Sequence, residues 1–314
     1  MSNIVLSTSQ IMRQVIYALI LGIGASFYFF GWGILIQILL GIATTLVVES
    51  AFLSIRGLPV KSSITDGSAI LTAILLAISI PSLAPWWVIV VGVAFAIIFG
   101  KQLYGGLGNN PFNPAMLGYA FLLISYPLQM TTWGIDYLNI EKALNIIFNI
   151  SSIDILSGAT KLDEIKTQIS LGSNIASLDI YSLSQYWINA GFLVGGLYLL
   201  ARKIIFWQIP ASFILGIFVT ASLLFLIDDN IYLPPQIHLM LGASMLGAFF
   251  IATDPVSSST TPKGRLIYGF LIGMLVVIIR VFGGYPDGVA FAVLLINITV
   301  PLIDAYTKPK VFGK

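Results

Sequence analysis

Ten long apolar runs constrain this chain more than any other feature. They extend for about twenty residues where the run permits and cover roughly residues 14–31, 33–54, 67–81, 86–100, 113–128, 186–201, 204–227, 237–252, 265–282 and 286–303. Lipid offers no hydrogen bonds to a backbone, so such segments must satisfy their own groups as helices or as a closed barrel. The absence of period-2 alternation excludes the barrel. Only 9% of the 314 residues are charged and 58% are hydrophobic, against about 25% charged in an ordinary soluble domain. The expected fold is an all-α polytopic membrane protein of about ten transmembrane helices. The third and fifth runs are short, and each follows a polar stretch bearing glycine, proline or asparagine that reads as a re-entrant segment. The first run follows Arg13 and lacks a small-residue cleavage site, so it reads as an uncleaved anchor.

Basic residues orient the bundle, because loops rich in lysine and arginine stay cytoplasmic. Ten spans place both termini on one side. That side collects Arg13, Arg56, Lys61, Lys101, Arg202, Lys203, Lys263, Arg265, Lys308, Lys310 and Lys314, leaving Lys142, Lys161, Lys166 and Arg280 for the other. Three regions follow: a first five-helix half (1–128), one long extracytoplasmic loop (129–185) and a second five-helix half (186–314). The loop carries Asp136, Glu141, Asp154, Asp163, Glu164 and Asp179, as suits an external segment facing a partner. The net charge of +2 says little more; membrane lipid is an expected partner and nucleic acid is not.

Within that loop stands Ser157-Gly158-Ala159-Thr160. Small neighbours expose the threonine hydroxyl and leave room for a phosphate and for backbone amides, a geometry suited to a phosphoester. The same stretch reads equally as a loop or a helix cap. Absences narrow the redox options: with no cysteine and a single histidine, His238, the chain cannot ligate an iron–sulfur cluster or supply a histidine pair for haem. An organic cofactor must carry any electrons that pass through it. No dinucleotide fold holds one, since the glycine-rich run at Gly105 follows an apolar span and not a strand.

Four segments in order carry a resemblance over essentially the whole chain. Asp66-Gly67-Ser68-Ala69, the run from Gly105-Gly106-Leu107-Gly108-Asn109-Asn110 to Pro111-Phe112-Asn113-Pro114-Ala115, the tetrapeptide ending in Thr160, and Thr253-Asp254-Pro255-Val256-Ser257 together resemble one family. It comprises the D subunit of the Rnf electron-transport complex and the B subunit of the sodium-translocating NADH:quinone reductase, and the shorter length favours the Rnf member. The resemblance implies FMN joined by its phosphate to Thr160, with Ser157, Gly158, Ala159 and Lys161 around it, on the outer side of a bacterial inner membrane. It also implies a six-subunit complex, including a flavin-bearing G-type subunit, that couples electron flow between NADH and ferredoxin to Na⁺ or H⁺ movement. Family members often place proline after the threonine; Lys161 stands there in this chain and offers a cation to the phosphate.

Charges at membrane depth are costly and mark functional candidates. Glu49, late in the second run, reads as an ion-pathway contact or as the partner of a nearby cation. Asp66 joins it as a pathway candidate, although Asp66 and Asp287 each open a short run with Asp-Gly-x-Ala, a pattern suited to capping a helix N-terminus. Its recurrence in both halves hints at two five-helix repeats. Asn109, Asn110, Asn113 and their flanking prolines either break a helix and satisfy its carbonyls or line a cavity. Asp254 and Ser257, in a Ser/Thr-rich turn, have the donors and acceptors for a second, non-covalent cofactor such as riboflavin or a quinone headgroup.

The expected mechanism is a flavin on Thr160 that takes an electron from a partner's flavin and passes it inward, coupled electrically to a cation. A redox-silent channel or carrier for a small solute is the alternative, and a scaffold for other subunits a third reading.

Overall fold

Helices form where the apolar runs predict them. The computed structural model describes residues 7–134, 136–150, 157–285 and 287–309; Asp154, Lys310, Lys314 and the side chain of Ser157 lie outside the described residues. Successive long helices are α1 (Thr8–Phe30), α2 (Gly33–Ile55), α3 (Ser68–Ser79), α4 (Trp86–Gly100) and α5 (Pro114–Ser125). In the polar loop lie α6 (Ile140–Ile147) and α7 (Lys161–Ser170). There follow α8 (Leu183–Ala201), α9 (Gln208–Ile227), the short α10 (Pro235–Met240), α11 (Pro262–Phe282) and α12 (Val289–Tyr306). Among the described residues six, α1, α2, α4 with the turn that extends it to Tyr104, α9, α11 and α12, are long and apolar enough to cross a membrane. The shorter α3 and α5 are apolar too. The protein is thus an all-α polytopic membrane protein.

Two compact units divide the chain. The first takes residues up to Asn110, Pro114–Gly158 and Val194–Ile204; the second takes Pro111–Asn113, Ala159–Leu193 and Ile205 onward. The long loop is therefore shared, its earlier part folding with the first unit and its later part with the second.

In the first unit α2 is central, packing on α3 and α4, while α4 packs on α5. One face of α2 carries Gln37, Thr45 and Glu49, each fully buried. Their spacing of eight and four residues keeps them on one stripe of the helix. Ala143 and Ile147 of α6 pack with Ile36 of α2, which seats the loop helix on the second apolar run. A two-residue antiparallel pair joins Trp133–Gly134 to Ser157–Gly158.

In the second unit α9 and α11 meet at backbone contact through Gly216, Gly269 and Gly273. A Cβ on Gly273 would lie 2.9 Å from Ile217 N, and one on Gly216 would lie 3.1 Å from Met274 N. Only hydrogen fits between the two backbones, the small-residue geometry that favours helix association in lipid.

The eighth apolar run is not one helix, as the sequence suggests. It is α10, a break at Leu241–Ala243, a short helical turn at Ser244–Leu246 and a π-helical turn at Gly247–Ile251. Gly242 adopts φ +65° there, a left-handed conformation that glycine takes without Cβ strain. The two Asp-Gly-x-Ala segments open α3 and α12, the third long helix of the chain and the last. They do not hold corresponding places in the helix order.

Candidate functional site

Thr160 is the N-cap of α7. Its Oγ1 accepts from the Asp163 N–H at 3.3 Å, satisfying one of the free amides of the first turn. Half-buried Thr160 follows exposed Ala159. The cap uses an oxygen lone pair, and among the described residues the hydroxyl proton is donated to nothing, so an ester at this oxygen leaves the cap intact. Amides of a ten-residue helix face the same point, which suits a phosphate. Against that, Asp163 and Glu164 stand in the first turn. Lys161 offsets them: its Nζ lies 3.3 Å from both Glu164 Oε2 and Asp179 Oδ2. The Tyr181 N–H, and secondarily Lys161, holds the Asp179 carboxyl below its usual range. Lys166 on the same helix has its pKa lowered by burial, with Asp163 opposing, and it donates to the Gly283 and Tyr285 carbonyls. Under α7, Leu162 and Ile165 pack with Ile237 and Leu241 of the interrupted eighth run. The attachment candidate thus rests on the broken helix of its own unit.

Polar residues hold that break together. Arg280, 4% exposed, donates to His238 O at 2.6 Å and to Ser244 Oγ at 3.0 Å, and it pairs with Asp287 Oδ1 at 3.0 Å. Asn189 donates to Met240 O and Gly242 O and accepts from Met245 N–H. Asp287 accepts from Ala243 N–H at 2.7 Å and from Val289 N–H at 3.3 Å. Asp287 therefore caps α12, as its motif suggests, and also neutralises a buried guanidinium. Backbone groups freed by a break at membrane depth need such partners. The sequence alone did not single out Asn189 or Ser244 for this task.

Glu49 and Asp66 come together in the first unit through residues the sequence placed elsewhere. Lys101, read as a loop charge, is 3% exposed: its Nζ lies 2.6 Å from Glu49 Oε1 and 2.8 Å from Ser68 Oγ. Ser68 donates from both Oγ and N–H to Asp66 Oδ1, at 2.6 and 2.7 Å, so Asp66 does cap the start of α3. Gln102 Nε2 donates to the same Glu49 Oε1 at 2.7 Å, and Arg56 donates to Gln102 O at 3.0 Å.

Asp254 and Ser257 also meet, but they bond to each other: Ser257 Oγ donates to Asp254 Oδ2 at 2.7 Å. Asp304 takes up the next donors, Ser259 Oγ and the Thr260 hydroxyl and N–H. Nearby, Tyr268 Oη and Asn297 are fully buried and 2.8 Å apart. Asn113 Nδ2 donates to Ile251 O at 3.2 Å, so the asparagine-proline stretch satisfies a carbonyl of the π-helical turn. No hydrogen bond or ion pair links the Asp254 turn to Thr160 among the described residues.

Comparison with known proteins agrees with this architecture. The model of the NQR2, RnfD, RnfE family matches residues 3–313. The chain is similar to the D subunit of the ion-translocating oxidoreductase complex of Pectobacterium carotovorum subsp. carotovorum, at 51% identity over 98% of the chain and 95% of the relative. It is likewise similar to the proteins of the same name from Yersinia enterocolitica, at 53%, and Yersinia pseudotuberculosis, at 52%, with the same coverage.

Proposed function

The chain belongs to the NQR2, RnfD, RnfE family, and from that premise we propose that it is a membrane subunit of a redox-driven ion pump, carrying FMN on Thr160. The observation that carries the redox half is the half-exposed Thr160 Oγ1 at the N-terminus of α7, with its lone pair in the cap and its proton uncommitted. Thr160 Oγ1 would hold the group as a phosphoester, made by the host's flavin-transferring enzyme with loss of the hydroxyl proton and of the donor's leaving group from phosphorus. The first-turn amides of α7 would face the phosphate, and Lys161 would offset Asp163 and Glu164. Gly158 and Ala159 keep its approach open, with Ser157 at the head of the motif. When bound, the flavin supplies one- and two-electron chemistry to a chain that has no cysteine.

In this reading residues 129–185 face the outside of a bacterial inner membrane and both termini face the cytoplasm. Thr160 would hold the flavin on the side reached by a flavin-bearing G-type partner of a six-subunit assembly, where the group would supply electron exchange with that partner. Electron flow between NADH and ferredoxin drives Na⁺ or H⁺. Moving one charge through the bilayer changes energy by about 2.3 kcal/mol per 100 mV, enough for electrical coupling. Glu49 and Asp66, joined through Ser68 and Lys101, are the ion-pathway candidates. The Asp254–Ser257 turn is the candidate for a second, non-covalent flavin such as riboflavin, or for a quinone headgroup.

The test is in-gel flavin fluorescence of wild type and Thr160→Ala, each produced with the host's flavin-transferring enzyme and run under denaturing conditions. A fluorescent wild-type band that is absent from the mutant is the expected result. Dark bands in both would turn the reading toward a redox-silent channel or carrier.

A further inference from the structure

The Glu49–Lys101 pair is built unlike a structural ion pair. Both donors to the carboxylate, the Lys101 ammonium and the neutral Gln102 amide, converge on one of its oxygens, Oε1. Among the described residues, the other oxygen, Glu49 Oε2, is buried without a hydrogen-bond partner, and so are Gln102 Oε1 and Thr45 Oγ1. Thr45 lies one helical turn before Glu49 on the buried face of α2, a spacing that brings side chains together. Gln102 is fixed against Glu49 by its own amide nitrogen. Glu49 Oε2 and one oxygen on each of its neighbours Thr45 and Gln102 are thus left without partners among the described residues, whereas buried polar groups are generally satisfied.

An all-oxygen donor set bearing one negative charge suits a hard monovalent cation. The charge is already matched by the Lys101 ammonium, which has a second place to go. Its Nζ also touches Ser68 Oγ at 2.8 Å, and Ser68 is held by Asp66 Oδ1 at 2.6 Å.

We propose that Glu49 Oε2, Thr45 Oγ1 and Gln102 Oε1 form a site for a hard monovalent cation, sodium or hydronium, and that Lys101 is its tethered competitor. An entering cation takes Glu49 from the Oε2 side, and the ammonium shifts to Ser68 and Asp66; when the cation leaves, Lys101 returns. The site never holds a bare carboxylate in the apolar interior, where an uncompensated charge is costly. The inference rests on reading the chain as an ion-pump subunit.

The experiment measures NaCl binding to the purified intact complex by calorimetry, with choline chloride as control, and proton uptake with a pH dye in weak buffer. Lys101→Met removes the competitor and keeps its stem, and tightens sodium binding by about tenfold or more. Glu49→Gln abolishes binding in either background. Thr45→Val leaves the ion pair alone, weakens binding several-fold, and does not lower the melting temperature measured without sodium. That variant keeps the proposal testable where Lys101→Met fails to assemble. If no variant binds sodium while the complex with Lys101 in place takes up a proton that Glu49→Gln does not, the occupant is the proton; uptake seen only in Lys101→Met reports a carboxylate stripped of its counter-ion and overturns the proposal. Sodium binding unchanged by Glu49→Gln, or neither sodium nor proton taken up, overturns the proposal and leaves ordered water in the cluster. Flavin fluorescence on the same samples reports on Thr160 in the other unit, so a dark band alongside normal cation binding would defeat the redox reading and spare this one.

Discussion

Arg280 and Asp287 show how burial changes the weight of an ion pair. Their side chains are 2% and 22% exposed, and the guanidinium also satisfies His238 O at the helix break. Removing one partner of a buried pair typically costs about 3–5 kcal/mol, because the other charge is left in a poor solvent. Partial exposure of Asp287 puts Asp287→Ala at the lower end, about 3 kcal/mol, read as a fall in melting temperature in detergent. Arg280→Met added to Asp287→Ala should recover part of that loss, since no stranded charge remains. Glu164→Ala breaks the pair with Lys161, but Glu164 is 56% exposed, and such pairs contribute at most about 1 kcal/mol. Equal losses in Asp287→Ala and Glu164→Ala would refute the buried-pair account.

Glycines at the α9–α11 contact set the strictest packing condition on any pair of elements. A methyl at Gly273 meets Ile217 N at 2.9 Å and Phe213 C at 3.0 Å, backbone atoms that cannot rotate away. Gly273→Ala should therefore cost about 1–3 kcal/mol, as overpacking does. Gly24, inside α1, has nothing within 4 Å of an added Cβ, and Gly24→Ala should be neutral or stabilising by up to about 1 kcal/mol. Thermal melts of the two variants side by side check the contrast; similar melts would mean that α9 and α11 are not in backbone contact. Element by element, helices were legible where an apolar run is long and uninterrupted, because lipid leaves the backbone no alternative. The break at Leu241–Ala243 was not. Its local sequence is apolar save for Gly242, and what stabilises it, Arg280, Asp287 and Asn189, comes from residues some 40 to 55 positions away. Lys101 escaped for the same reason: it borders a polar stretch, and only Glu49, 52 residues upstream, makes its burial tolerable. Thr160 was legible as a cap or an attachment point, and the cap is what its own geometry displays.

Across the whole molecule, orientation depends on parity. Arg13, Arg56, Lys61, Arg202, Lys203, Lys263 and Lys308 are exposed, while Lys101 is spent on Glu49. The basic bias expected of the cytoplasmic side therefore does not need Lys101. Between the exposed residues Ala176, after α7, and Lys263, at the start of α11, lie α8, α9 and the interrupted eighth run. If all three cross the bilayer, the two residues face opposite sides; if the interrupted run folds back on itself, they face the same side. The chain has no cysteine, so one introduced thiol is an unambiguous marker. Ala176→Cys should react with a membrane-impermeant maleimide in intact spheroplasts, and Lys263→Cys only after permeabilisation. Labelling of both from outside would show that the eighth run does not cross. The reverse pattern would put Thr160 in the cytoplasm and remove the external partner from the proposed electron path. Crossing is the expected outcome on energetic grounds. The break carries its own donors for the His238, Met240 and Gly242 carbonyls, and a backbone satisfied internally is what allows an irregular segment to lie at membrane depth.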